Sequence, residues 1–140
     1  MPPAIATIMT TRVATVHMDD SLRIIAEIFE NARFHHLLVV EGKELCGIIS
    51  DRDLLKASSP FLNTVNEQAR DLALMNRKAH QIMTRNLVTV TPETSIEDAA
   101  RLLVQSGVSC LPVVTVDGNL AGILSWKDLF KAFVSGLETL

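Results

Sequence analysis

The sequence predicts an α+β fold made of two β-α-β-β-α repeats, and three observations carry that prediction. Gly47-Ile48-Ile49-Ser50-Asp51-Arg52-Asp53-Leu54-Leu55-Lys56 returns 75 residues later as Gly122-Ile123-Leu124-Ser125-Trp126-Lys127-Asp128-Leu129-Phe130-Lys131. Ile8-Met9-Thr10 returns 74 residues later as Ile82-Met83-Thr84. Between these markers, apolar runs and helical stripes recur in one order, the signature of an internal repeat. Val13 meets Leu87, Thr15 meets Thr89, Val16 meets Val90, Ser21 meets Ser95 and Ala26 meets Ala100. Leu37-Leu38-Val39-Val40 meets Leu111-Pro112-Val113-Val114, and the extra residue falls in the second copy's hairpin turn. The chain divides accordingly into residues 1–62 (first repeat), 63–81 (a connecting helical segment) and 82–140 (second repeat).

Each repeat opens with a short strand, Val13–Val16 or Leu87–Val90. A helix follows. In the first copy it starts at Asp20 or Ser21 with Leu22, Ile25, Ile28, Phe29 and Ala32 on one side. In the second, Ser95 and Asp98 have capping-box spacing ahead of Ile96, Ala99 and Leu103. Gly107 suits the left-handed residue that ends such a helix; its counterpart Arg33 does not. Pro112–Val116 and Leu120–Leu124 then flank the hairpin turn Asp117-Gly118-Asn119. Leu37–Val40 and Leu45–Ile49 are their equivalents around Glu41-Gly42-Lys43-Glu44. These runs are continuously apolar, which predicts strands covered on both faces. Ser58-Ser59-Pro60 ends the first closing helix. The connector reads as one amphipathic helix with Val65, Ala69, Leu72 and Met75 on one side, packed back on the module.

The chemistry concentrates at the Ser-x-x-Asp turns. Ser50 with Asp53 and Ser125 with Asp128 have the spacing of a helix cap, which is sufficient reason for these residues by itself. Arg52 and Lys127, at the second helical position, are not explained that way. A cation there opposes the helix dipole, unless an anion such as phosphate sits nearby. An Asp that accepts two hydrogen bonds also fits the paired hydroxyls of a ribose.

Composition limits the alternatives. The chain has 140 residues, 48% hydrophobic and 21% charged, and so is a folded protein. A net charge of −3 gives no footprint for nucleic acid or an anionic membrane. No apolar run approaches the roughly 20 residues that span a bilayer. The N-terminus lacks the features of a signal peptide, which points to the cytoplasm. Cys46 and Cys110, distant and in apolar surroundings, read as buried cytosolic thiols.

Taken in order and repeated twice, Ile-Met-Thr, the Ser-capped helix, the apolar strand pair and Gly-Ile-x-Ser-x-x-Asp resemble a tandem of CBS (cystathionine β-synthase) domains, a Bateman module. The resemblance covers roughly residues 5–134 and is to a stand-alone prokaryotic pair. It implies two repeats packed about a pseudo-twofold axis with two clefts that hold an adenosine compound: AMP, ADP, ATP, S-adenosylmethionine or NAD. Such a ligand is an effector, and no cofactor is required. Carried over, Asp53 and Asp128 hold ribose, Ser50 and Ser125 lie near ribose or phosphate, and Arg52 and Lys127 contact phosphate. The base is expected against Val13, Ala14 and Thr15 with His35, His36 and Leu37, and against Leu87, Val88 and Thr89 with Ser109, Cys110 and Leu111. Leu38 stands where the second copy has Pro112, and Asp51 where it has Trp126, so the two sites are expected to differ.

Rival readings are weaker. His35 and His36 are strand neighbours that face opposite ways, which argues against a shared metal. Trp126 fits a rim as well as it fits a base. Ser50 and Ser125 sit on strand-to-helix turns, but Gly-x-Ser-x-Gly, a partnered base, a Walker loop and a dinucleotide fingerprint are all missing, so no enzyme is expected. The alternative is a ligand-free interaction or dimerisation module. Leu129, Phe130, Ala132, Phe133, Val134 and Leu137 cover most of the last helix, and Ile24 and Ile28 widen the first helix's stripe. That excess predicts a homodimer with helices at its interface, alongside a regulated protein partner that the sequence does not name.

Overall fold

The computed structural model describes residues 3–32, 34–58 and 60–138, with Leu137 and Glu138 described by backbone alone. Arg33, Ser59 and the Leu137 side chain, all invoked above, lie outside the described residues. The chain forms two compact units: Ala14–Leu87, and Met1–Val13 together with Val88–Leu140.

In the unit Ala14–Leu87 the order is β1 (Thr15–His17), α1 (Leu22–Asn31), β2 (His36–Glu41), β3 (Glu44–Ser50), α2 (Asp51–Ala57), α3 (Ala69–Leu74) and α4 (Ala79–Ile82). Strand β1 runs parallel to β2, which is antiparallel to β3. The parallel step is possible because α1 makes the crossover. Ser21 caps α1, its hydroxyl accepting the Ile24 N–H. Leu22 and Ile25 are buried with Val16, Leu37, Val39, Ile49, Met75, Ala79 and Met83. Burial on this scale is the main driving force for the unit.

The other unit has a 3-10 turn (Ile5–Thr7), α5 (Ile96–Ser106), β4 (Cys110–Val114), β5 (Leu120–Ser125) and α6 (Trp126–Glu138). Ser95 caps α5, accepting the Asp98 N–H at 3.1 Å, and Gly107 closes it at φ +68°. The expected opening strand Leu87–Val90 is reduced to a single parallel bridge, Val90 to Val113. Ile5, Val90, Ala99, Leu103, Leu111, Val113 and Leu124 are buried together. Strands β2 and β4 are covered on both faces, as their apolar runs predict. Strands β3 and β5 instead alternate at their C-terminal ends, with Gly47, Ile49, Gly122 and Leu124 inward.

The connector is not one helix. Helices α3 and α4 are separated by a turn at residues 75 and 76, Val65 is fully exposed, and Ala69 and Leu72 face solvent. Only Met75, of the proposed stripe, is buried. Two helix-start signals, the Asp71 carboxylate accepting the Gln68 N–H and the Gln81 side-chain oxygen accepting the Lys78 N–H, each open a new helix and break the period.

The compact units are also cut at different points from the sequence repeats. Ile-Met-Thr of each sequence copy serves the strand pair of the other copy. Thr10 exchanges two backbone hydrogen bonds with Ile123 on β5, both 2.9 Å, and Thr84 exchanges 2.9 and 3.1 Å bonds with Ile48 on β3. Each strand edge so gains partners for groups that would otherwise lack them. A Cβ on Gly122 would lie 2.6 Å from the Thr10 carbonyl oxygen, and one on Gly47 2.5 Å from Met83 Sδ. The glycine that opens each motif is there for this close approach.

Candidate functional site

Each motif turn is where an antiparallel strand pair ends and a helix begins. The register places His36 opposite Ser50 and Cys110 opposite Ser125. In the first copy the Asp51 N–H also donates to the His35 carbonyl at 3.0 Å, so the start of β2 and the start of α2 are tied together. Ser50 and Asp53 form the full capping box. The Ser50 N–H donates to Asp53 Oδ2 at 2.8 Å and the Asp53 N–H to Ser50 Oγ at 3.0 Å. Ser125 and Asp128 repeat it at 2.9 and 3.4 Å, and Ser125 Oγ donates a further 3.1 Å bond to Asp128 Oδ2. Capping is therefore a shown role of both aspartates, through one oxygen each.

The second oxygen separates the copies. Thr10 Oγ1 donates to Asp128 Oδ1 at 2.9 Å. Asp53 Oδ1 has no hydrogen bond among the described residues. Thr10 and Asp128 are 118 residues apart, so only the recurrence of Ile-Met-Thr could have hinted at the contact. Arg52 and Lys127 are exposed at the second helical position, and neither makes an ion pair among the described residues.

The charges around the two turns differ as well. His35 Nδ1 lies 3.1 Å from Asp51 Oδ2, and this hydrogen bond lowers the Asp51 pKa below the usual carboxylate value. Both side chains are mostly exposed, so the pair adds little to stability. His36 is half-buried, and desolvation lowers its pKa, with Asp51 and Asp53 close enough to oppose that shift. The second copy has Ser109, Cys110 and Trp126 at the matching positions. Cys110 is buried, and burial pushes its thiol up to about 12, which makes it inert near neutral pH. Trp126 is exposed at the head of α6.

The base-facing residues divide by exposure. Thr15, His35, Thr89 and Ser109 are exposed, and Val13, Ala14, His36, Leu87 and Val88 are half-buried. Leu37 and Leu111 are core residues with no accessible surface, so only their backbone is available to a ligand. The Ala14 carbonyl accepts the Leu38 N–H at 3.1 Å, which holds the end of the opening segment beside β2. Val13 belongs to one compact unit and Ala14 to the other, and likewise Leu87 and Val88.

Two segments, residues 5–60 and 79–135, match the CBS domain family model. The chain belongs to the CBS domain family. It is 33% identical over 133 residues to a CBS domain-containing protein of Dictyostelium discoideum, a match covering 94% of this chain and 91% of that one. It is 32% identical over 127 residues to the homoserine O-acetyltransferase of Methanococcoides burtonii, but there the match covers 90% of this chain and only 23% of the enzyme. Among solved structures, the CBS-pair protein CBSX2 in complex with AMP is similar at TM-score 0.79 and 29% identity, over 94% of this chain and 96% of that one. CBSX2 from Arabidopsis thaliana is similar at TM-score 0.82 and 28% identity, over 99% of both chains. The CBS domain pair of protein MJ0100, in complex with 5′-methylthioadenosine and S-adenosyl-L-methionine, is similar at TM-score 0.75 and 25% identity, over 94% of this chain and 99% of that one. No helix among the described residues is long and apolar enough to cross a membrane.

Proposed function

We propose that this CBS pair is a non-catalytic regulatory module of the cytoplasm that binds an adenosine-containing effector at its Ser-x-x-Asp turns. AMP, ADP, ATP, S-adenosylmethionine and NAD are the candidate effectors. The observation that carries this reading is the cation beside each capping aspartate, which makes no ion pair among the described residues. Arg52 and Lys127 stand where the helix dipole disfavours them, and a bound phosphate or carboxylate would reverse that cost. The complexes recorded for CBSX2 and MJ0100 support an adenosine ligand. Asp53, with one oxygen that has no hydrogen bond among the described residues, is better placed for ribose than Asp128, whose second oxygen already holds Thr10. The first turn is therefore the stronger site. Binding biases an equilibrium between conformations only by its differential affinity for them, and a protein partner reads the result.

Trp126, Phe130 and Phe133 form an exposed apolar stripe along α6, with the Phe130 and Phe133 rings 6.5 Å apart. This stripe supports a homodimer through α6. Isothermal titration with AMP, ATP and S-adenosylmethionine tests the ligand reading. Asp53→Ala should weaken binding by about 1–3 kcal/mol, the cost of lost hydrogen bonds to a charged group, and Asp128→Ala by less. Arg52→Ala should weaken a nucleotide more than adenosine. If none of the three ligands binds the wild-type protein or shifts its melting, the module is a ligand-free dimerisation unit.

A further inference from the structure

At the far end of α2 from the Ser50 turn lies a second concave site. Its volume is about 450 Å³, within the range of small-molecule sites. The walls combine two chemistries. Ala57, Pro60, Phe61 and Leu74 supply an apolar side, and Lys56, Arg70 and Arg77 supply cations. Asp71 is the one acid in the lining; it is buried, with Oδ2 accepting the Gln68 N–H at 2.7 Å in the cap of α3. None of the three cations makes an ion pair among the described residues. Residues 56–78 carry four cations and two acids, in a chain whose net charge is −3. The local field is thus opposite to that of the protein as a whole.

Helix electrostatics account for part of this. Lys56 sits in the last turn of α2, where a cation is favoured. Arg70 sits in the first turn of α3, where it is not, and Arg77 lies outside any helix. Nor does packing demand the charges, since Arg70 is exposed. Three cations from three chain segments around one open groove with an apolar side match a ligand with several negative charges and an apolar or aromatic part.

We propose that this groove is a second ligand site, separate from the motif turns, for a small organic phosphate carrying more than one negative charge. Lys56, Arg70 and Arg77 take the phosphates, and Phe61 and Leu74 take the organic part. Guanidinium groups suit the oxygens of phosphate because their N–H donors form a planar fork.

Titrating the full chain with inorganic pyrophosphate, followed by amide resonances, tests the site. Pyrophosphate lacks the ribose and base that Asp53 and the base-facing residues are proposed to read, and any contact it makes with Arg52 or Lys127 shows at the motif turns. Saturable shifts are expected in residues 56–61 and 70–77, weakening as salt is raised. Arg70→Gln should weaken binding about tenfold, the ratio for one lost charge-assisted hydrogen bond, as should Arg77→Gln. The readout lies in residues 56–61 and 70–77 and not at the motif turns, so that failure of the adenosine reading does not decide this one. Arg101→Gln, at an exposed position of α5, should leave binding unchanged. Shifts spread over all surface cations without saturation, or equal affinity in wild type, Arg70→Gln and Arg77→Gln, would overturn the proposal. Unchanged melting of the variants identifies any loss as loss of the site.

Discussion

Replacing Gly122 with Ala should do more damage than replacing Gly47, although both glycines open a Gly-Ile-x-Ser-x-x-Asp motif. A Cβ on Gly122 would stand 2.6 Å from the Thr10 carbonyl oxygen and 3.4 Å from Met9 Sδ. The first obstacle is backbone, and that backbone is pinned by the paired 2.9 Å bonds between Thr10 and Ile123. Relieving the clash moves a whole chain segment. Overpacking of this kind costs about 1–3 kcal/mol. Loosening two backbone hydrogen bonds adds about 1 kcal/mol each. Against this, the alanine stiffens the unfolded chain, which returns about 0.4–1 kcal/mol. A net loss of about 2–4 kcal/mol is expected. At Gly47 the nearest atoms are Met83 Sδ at 2.5 Å and Cγ at 2.9 Å, with the Thr84 carbonyl oxygen at 3.0 Å. A thioether can change rotamer, so the cost there should be about 1–2 kcal/mol. Urea unfolding gives both numbers, and for a chain of this size each kcal/mol lowers the melting temperature by about 3–4 °C. In a double-mutant cycle, Met83→Ala should couple favourably with Gly47→Ala, while Met9→Ala should do little for Gly122→Ala. Gly122→Ala unfolding like wild type, or Gly47→Ala proving the worse of the two, would refute the close-approach account of the motif glycine. Because Thr10 also holds Asp128, Gly122→Ala should alter ligand binding at the second turn alone.

Other consequences can be checked directly. Phe133→Glu, at 62% exposure, should give a folded monomer by light scattering where wild type is a dimer, whereas a wild-type mass near 15.4 kDa at micromolar concentration would remove the dimer altogether. His36 has its pKa lowered from 6.5 in the folded chain, so the neutral ring is the favoured form and its contribution is present above that value. That stability is lost as pH falls through the lowered pKa. Melting followed from pH 7 to pH 5 should therefore drop less in His36→Gln than in wild type, and parallel curves would exclude His36 as the titrating group. Asp51 acts at lower pH, since its own shift lies below 3.8.

Much of this protein is legible in its sequence because the signals are local. The caps at Ser21, Ser50, Ser95 and Ser125 need only a hydroxyl and a backbone N–H a turn away, and all four start the helices their spacing predicts. Gly107 ends α5 for an equally local reason, its left-handed φ. The buried runs Leu37–Val40 and Leu111–Val113 follow from composition. The repeat itself is an arithmetic property of the chain. The connector breaks into α3 and α4 because two successive helix starts, at Gln68 and Lys78, prevail over an apolar spacing, and these signals also are local.

What tertiary structure alone decided is which segments meet. Ile8-Met9-Thr10 and Ile82-Met83-Thr84 look like the first element of the repeat that follows each, yet each completes the strand pair of the other copy. Nothing in the residues says so, because an edge of unpaired backbone groups accepts any extended segment of suitable shape. The same distance hides the Thr10–Asp128 bond, which makes the two motif aspartates unequal. It also hides the convergence of Lys56, Arg70 and Arg77, three cations from separate segments whose spacing along the chain has no period. Sequence specifies what each residue can do with its neighbours in the chain; the field and the partners at a site depend on neighbours in space.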